Sequence, residues 1–108
     1  MIIGDNVIIW ASKNGGITIG DNTQIAAHTY IIDCDHGIKK DELINKQPLI
    51  SKKIEIGNDV WIGANCTILK GSIIENGAVI GAKSLVNNHL PAYSINVGIP
   101  AKTIKYRE

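Results

Sequence analysis

Few side chains in this sequence can move a proton or hold a metal near neutral pH. They are three histidines, His28, His36 and His89, and two cysteines, Cys34 and Cys66. His36 closes the run Asp33-Cys34-Asp35-His36. Imidazole titrates at about pH 6.5, so this ring can take the proton of a hydroxyl that becomes a nucleophile. Asp33 or Asp35 can orient the ring, or both acids can simply shape a turn. Position alone also allows a loop histidine without a role. Cys34 is opposed as a nucleophile by the same neighbours, because nearby carboxylates raise a thiol's pKa. A catalytic zinc needs three protein ligands and supporting partners. His28 and His36 offer two, and His89 lies far along the chain. The cysteines fit no zinc spacing and no disulfide framework.

Something must position these groups, and composition narrows what it is. At 108 residues the chain is expected to be a single domain, 1–108. With 44% hydrophobic and 19% charged residues it has a globular composition. A net charge of +1 gives no electrostatic case for nucleic acid or an anionic membrane. No apolar run reaches the roughly 18 residues of a membrane span, and Met1 opens no signal peptide. The cysteine usage makes a reducing cytoplasm the expected compartment. Phenylalanine is absent and isoleucine occurs 22 times. A core so rich in β-branched aliphatics points to strands. A domain this small buries only about 60–65% of its unfolded surface, which favours a partner.

The isoleucines recur with a period of six. From Ile56 the register runs through Ile62, Ile68, Ile74, Ile80 and Val86. Two residues before each stand Ile54, Val60, Cys66, Ser72, Ala78 and Ser84, mostly small. Shorter runs of the pattern occur earlier, at Ile3 and Ile9 and at Ile19, Ile25 and Ile31. Strand side chains alternate between two faces, so the period reads as a short strand with a large residue inward, then a tight corner. Corners favour residues that tolerate left-handed backbone. Gly4-Asp5-Asn6, Gly20-Asp21-Asn22, Gly57-Asn58-Asp59 and Asn76-Gly77 are placed to supply them. Three sides close a triangular coil of about 18 residues, and coils stack into a prism. An amphipathic helix would need apolar spacings of three and four, which residues 54 to 86 lack.

The pattern breaks between Ile31 and Ile54, where a polar insertion at about 33–53 still carries Leu43, Ile44, Leu49 and Ile50. A loop of this length in a compact domain is usually functional or disordered, and these aliphatics predict that it packs on the prism or a neighbouring subunit. Residues 87–93 are expected to leave the coils. Ser94 to Gly98 reads as a last strand, and 99–108 as a short tail carrying Lys102, Lys105 and Arg107. Ile3-Gly4 already stands in register behind Met1. The first coil, stacked on one neighbour only, is expected to be the least stable.

Several stretches carry a resemblance. Ile56-Gly57-Asn58-Asp59-Val60-Trp61-Ile62-Gly63-Ala64-Asn65, then Ile68-Leu69-Lys70-Gly71, Ala78-Val79-Ile80-Gly81-Ala82-Lys83-Ser84-Leu85-Val86 and Val97-Gly98-Ile99-Pro100-Ala101-Lys102 follow one another in order. With His36 some 25 residues before Trp61, the chain resembles the hexapeptide-repeat acyltransferases, in particular sugar and surface-polysaccharide O-acetyltransferases. The resemblance implies an all-β fold, a left-handed parallel β-helix. Its hand is an exception to the usual right-handed crossover. It implies a homotrimer with active sites between subunits, acetyl-CoA as co-substrate without a metal, and a sugar or glycan hydroxyl as acceptor.

By the same resemblance His36 is the general base that assists direct attack on the thioester. Ala64 and Ala82 line the coenzyme's pantetheine arm, Asn87 and Asn88 touch the coenzyme, and Lys102 and Lys105 meet its phosphates. Trp61 has a counterpart near the donor groove. Related enzymes often carry a hydroxyl at the position of Ala64, so a backbone amide must stabilise the oxyanion here. Trp10 and Tyr30 line the acceptor site or an interface; some relatives have a polar Asn at the Trp10 position, so the resemblance does not fix the acceptor. Relatives usually precede their coils with a segment that caps the first one. Two competing functions are a zinc hydratase like the γ-class carbonic anhydrases, using His28 and His36, and a non-catalytic β-helix scaffold.

Overall fold

The computed structural model describes residues 1–108. Its short strands succeed one another around three faces. The first face stacks β1 (Ile2–Ile3), β4 (Gln24–Ile25), β9 (Trp61–Ile62), β12 (Val79–Ile80) and β15 (Ser94–Gly98). The second stacks β2 (Ile8–Trp10), β5 (Tyr30–Ile32), β10 (Thr67–Ile68) and β13 (Leu85–Val86). The third stacks β3 (Ile17–Ile19), β8 (Ile54–Ile56), β11 (Ile73–Ile74) and β14 (His89–Leu90). Neighbours within each stack are parallel. The architecture is a left-handed parallel β-helix, a three-sided prism, and the chain as a whole measures 50 Å along its longest axis. No helix is long and apolar enough to cross a membrane.

The period of six fills the prism. Ile25, Ile62 and Ile80 on the first face, Ile31, Ile68 and Val86 on the second, and Ile56, Ile74 and Leu90 on the third are 3% exposed or less. Every residue two positions before the register from Ile56 to Val86 is buried as well. Both inward positions of each side therefore serve the axis, with small residues leaving room for large ones. Burying each large aliphatic stabilises by about 1.5–3 kcal/mol.

Each of the four expected corners does hold a left-handed residue. The left-handed residue is the third of each corner: Asn6, His28, Asn65 and Lys83 between the first and second faces, and Asn22, Asp59, Gly77 and Tyr93 between the third and first. The leading glycines serve close approach instead. A Cβ on Gly63 would lie 2.7 Å from the Ala82 nitrogen, and one on Gly4 would lie 2.8 Å from the Ala27 nitrogen.

Residues 87–93 do not leave the coils as expected. β14 continues the third face beside β11, and β15 continues the first beside β12. The period was hidden because this side is two residues shorter, so Leu90 rather than residue 92 takes the inward place. The tail is also structured: β16 (Ala101–Tyr106) returns antiparallel along β15. The first-face ladder ends on the buried Asn96. Its amide donates to the Val79 carbonyl at 3.1 Å and to Ser94 Oγ at 2.9 Å, and it accepts from Thr103 Oγ1 at 2.6 Å. At the other end of the prism, Ile3 and Ile9 remain 48% and 39% exposed.

The insertion at 33–53 springs from the corner between the second and third faces of the second coil. It is an arm of two antiparallel strands, β6 (Cys34–His36) and β7 (Leu49–Ser51), closed by a 3-10 turn at Ile44–Lys46.

Candidate active site

A two-stranded ribbon is marginal alone, so the arm needs anchors. Its root is Asp33, which is fully buried. The Asp33 carboxylate accepts the Ser12 N–H at 2.9 and 3.0 Å and the Gly16 N–H at 2.5 Å. Burial works to raise this carboxyl's pKa, but the hydrogen bonds from Ser12 and Gly16 outweigh it and hold the pKa below the usual value. The Ser12 and Ser51 hydroxyls meet at 2.8 Å, and the Lys52 N–H donates to the Asp33 carbonyl at 2.9 Å. Asp33 therefore does not orient His36; its oxygens are engaged with the coil below. Asp35 faces Lys70 Nζ at 3.4 Å and makes no hydrogen bond to the ring either.

His36 ends β6 with its side chain exposed and without a hydrogen-bond partner in the chain. It borders two hollows. One, of about 240 Å³, is apolar and walled by Trp10, Tyr30, Ile32, Cys34 and Leu49. The other, of about 700 Å³, runs along the arm's tip past Lys39, Lys40 and Glu42. A ring so placed can take a proton from a group seated in either hollow. Cys34 sits at the floor of the apolar one. Burial first, then the charges of Asp33 and Asp35, push its thiol pKa up, which keeps it protonated and a weak nucleophile.

Ala64 and Ala82 stack one coil apart at the corner between the first and second faces. Their neighbours bond across that corner: the Lys83 N–H donates to the Ala64 carbonyl at 2.9 Å, and the Asn65 N–H to the Ala27 carbonyl at 3.0 Å. The N–H groups of Ala64 and Ala82 themselves have no acceptor in the chain, so the corner presents two spare donors. Asn87 and Asn88 lie exposed beyond β13, at the opposite edge of the second face. Lys102 pairs with Val97 and stands near the Ala82 corner, whereas Lys105 pairs with Ile95 towards the other end of that strand. Arg107 is committed to the corner between the third and first faces. It donates to Asp59 Oδ2 at 3.0 Å and to the Gly77 carbonyl at 3.1 Å, above the Tyr93 ring. Trp61 is 56% exposed on the first face, in a hollow it shares with Gln24, Val79 and Arg107.

One chain thus brings His36 together with Trp10 and Tyr30, and Ala64 together with Ala82 and Lys102. The second face separates these two groups. The three histidines are dispersed as well. His28 is at a corner, His36 on the arm, and His89 on the third face against Glu75 at 2.5 Å. No three His, Cys, Asp or Glu side chains of the chain converge as a metal group. Lys39 and Gln47 contribute to the arm around His36 without having been singled out in the sequence, and Leu49, noted there as an aliphatic of the insertion, stands opposite His36. Only the folded arm reveals these contacts, and no periodicity announced them.

The repeat region, residues 53–88, matches the family model described as bacterial transferase hexapeptide (six repeats). The chain is 40% identical over 97 residues to WbbJ of Escherichia coli (strain K12), a protein named for O-acetyl transfer in lipopolysaccharide biosynthesis; the match covers 82% of this chain. Among solved structures it resembles a maltose O-acetyltransferase from Clostridium difficile 630, with 30% identity, a TM-score of 0.79, and coverage of 98% of this chain and 58% of that one. It also resembles the S84C mutant of AntD, an N-acyltransferase from Bacillus cereus in complex with dTDP-4-amino-4,6-dideoxyglucose and coenzyme A. That match has 25% identity and a TM-score of 0.88, and covers 98% of this chain and 59% of that one. The chain spans 50% of the length of the Escherichia coli relative.

Proposed function

The chain belongs to the bacterial hexapeptide-repeat transferases, and on that premise we propose that it moves an acetyl group from acetyl-CoA to a hydroxyl of a sugar or surface polysaccharide. The observation that carries the reading is His36, an unpartnered imidazole on an anchored arm between an aromatic hollow and a larger one along the arm's tip. The acceptor ring stacks against Trp10 and Tyr30, whose faces suit the C–H face of a sugar. His36 takes the hydroxyl proton while the oxygen attacks the thioester carbonyl carbon. The carbon–sulfur bond then breaks, and the coenzyme thiolate leaves and regains a proton from the imidazolium. General-base help of this kind contributes about 10²–10⁴-fold.

Ala64 and Ala82 line the pantetheine arm, and their free N–H groups are the backbone donors for its carbonyls or for the oxyanion. Asn87 and Asn88 touch the coenzyme, and Lys102 meets its phosphates, with Lys105 adding little from the far end of the strand. The separation of His36 from the Ala64 corner favours a homotrimer in which one subunit's arm faces the corner of the next. Exposed Ile38, Leu43, Ile44, Leu49 and Ile50 on that arm give it apolar surface for such a contact. The cytoplasm supplies the donor and keeps the free cysteines reduced.

Calorimetric titration with acetyl-CoA tests the reading without knowledge of the acceptor. Saturable binding near one site per subunit is expected, followed by thiol release when sugars are screened. A folded oligomer that binds no acetyl-CoA would leave a scaffold in place of an enzyme.

A further inference from the structure

We infer that Gln47 is the positioning residue of the arm and acts on the reaction through His36. This rests on the assignment of His36 as the base. Gln47 is 9% exposed although it stands on an arm whose surface is otherwise mostly solvent-exposed. Its side-chain amide uses every partner within reach. The Lys39 N–H donates to Oε1 at 2.9 Å, and Nε2 donates to the Lys39 carbonyl at 2.8 Å and the Glu42 carbonyl at 2.9 Å. The amide therefore closes the segment 39–42 over itself, in place of the ladder that a longer ribbon would have.

The same side chain lies on Gly37, the residue that follows His36. A Cβ on Gly37 would stand 2.8 Å from both Gln47 Cβ and Oε1. Gly37 is thus a glycine because Gln47 fills its side-chain space. On the other side, His36 pairs with Leu49, two residues beyond Gln47. The His36 backbone is held between these contacts, and the wall of the larger hollow, Lys39 and Glu42, hangs from the same amide. The root of the arm fixes its direction, while Gln47 fixes where along it the imidazole stands.

Two variants separate hydrogen bonding from packing. Gln47→Met keeps length and bulk but loses all three hydrogen bonds, and Gln47→Ala loses both. Each is made alone and with His36→Ala in the full chain, and read by kcat, KM for acetyl-CoA, melting temperature and the pH profile of kcat/KM. Expected are a kcat lowered about 10- to 100-fold in both variants, a KM for acetyl-CoA within about twofold, and a pH profile shifted from that of the parent. The double variants should be no slower than His36→Ala alone, because a lever on an absent base moves nothing. Losses that multiply would overturn the inference, since Gln47 would then act independently of His36. So would an unchanged kcat in both variants while His36→Ala is inactive. If His36→Ala itself retains turnover, the assignment of the base has failed instead.

Discussion

Asp33 and Ser12, 21 residues apart in sequence, are joined by a forked contact in which one backbone N–H meets both oxygens of a buried carboxylate. Ser12 belongs to the small bulge after β2 in the first coil, and Asp33 begins the arm of the second. The bulge exists to seat the acid, and the acid to seat the arm.

The first prediction concerns that acid. Its folded pKa lies below its unfolded one, so its stabilising contribution is complete above the ordinary carboxylate range near pH 4. The contribution is lost as pH falls through the lower, folded value. Asp33→Asn should cost about 1–3 kcal/mol, because an amide nitrogen then confronts buried N–H donors. Thermal melts between pH 3 and 8 would show the parent losing stability on acidification more steeply than the variant. Parallel curves would mean that the charge of Asp33 contributes nothing.

The second concerns the base. His36→Ala should lower turnover at least about a hundredfold and leave acetyl-CoA affinity and oligomeric state unchanged. Steady-state kinetics beside calorimetry would check it, and retained turnover would move the role to another group.

The third separates two lysines that sequence treats alike. Lys102 stands near the Ala82 corner and Lys105 towards the other end of the strand. Lys102→Ala should weaken acetyl-CoA binding about fivefold, more at low salt, and Lys105→Ala less than twofold. A reversed order would place the phosphates at the far end of the face.

The prism was legible because its cause is periodic. Ile56 to Val86 recur every six residues, and each one is buried. Where a side changes length the period is lost to the eye, as at Leu90, although the chain keeps its place in the stack. Gly77 was legible for its left-handed backbone, but the leading corner glycines were not legible for their reason, since the next coil's backbone, not the local dihedral, excludes a Cβ at Gly63. The arm was visible only as an interruption. Its chemistry depends on Asp33 meeting Ser12 and on Gln47 meeting Gly37, pairings made by the fold and by no spacing. The acids beside His36 show the limit well: adjacency suggested a partner for the ring, and burial gave Asp33 a different task.

The stacking also makes the site a matter of counting. Ile62 and Ile80 are partners because they lie one full circuit apart, and a single side is a third of that circuit. An insertion or deletion of six residues between the arm and β12 would carry Ala82 to another edge of the prism without disturbing one inward isoleucine. Such a change would leave a well-folded protein in which the Ala82 corner stands at a different edge relative to His36. Length changes that keep the stack come as whole circuits, as a shortened side like the one before Leu90, or as outward excursions at a corner. The bulge holding Ser12 and the arm holding His36 are both of the last kind.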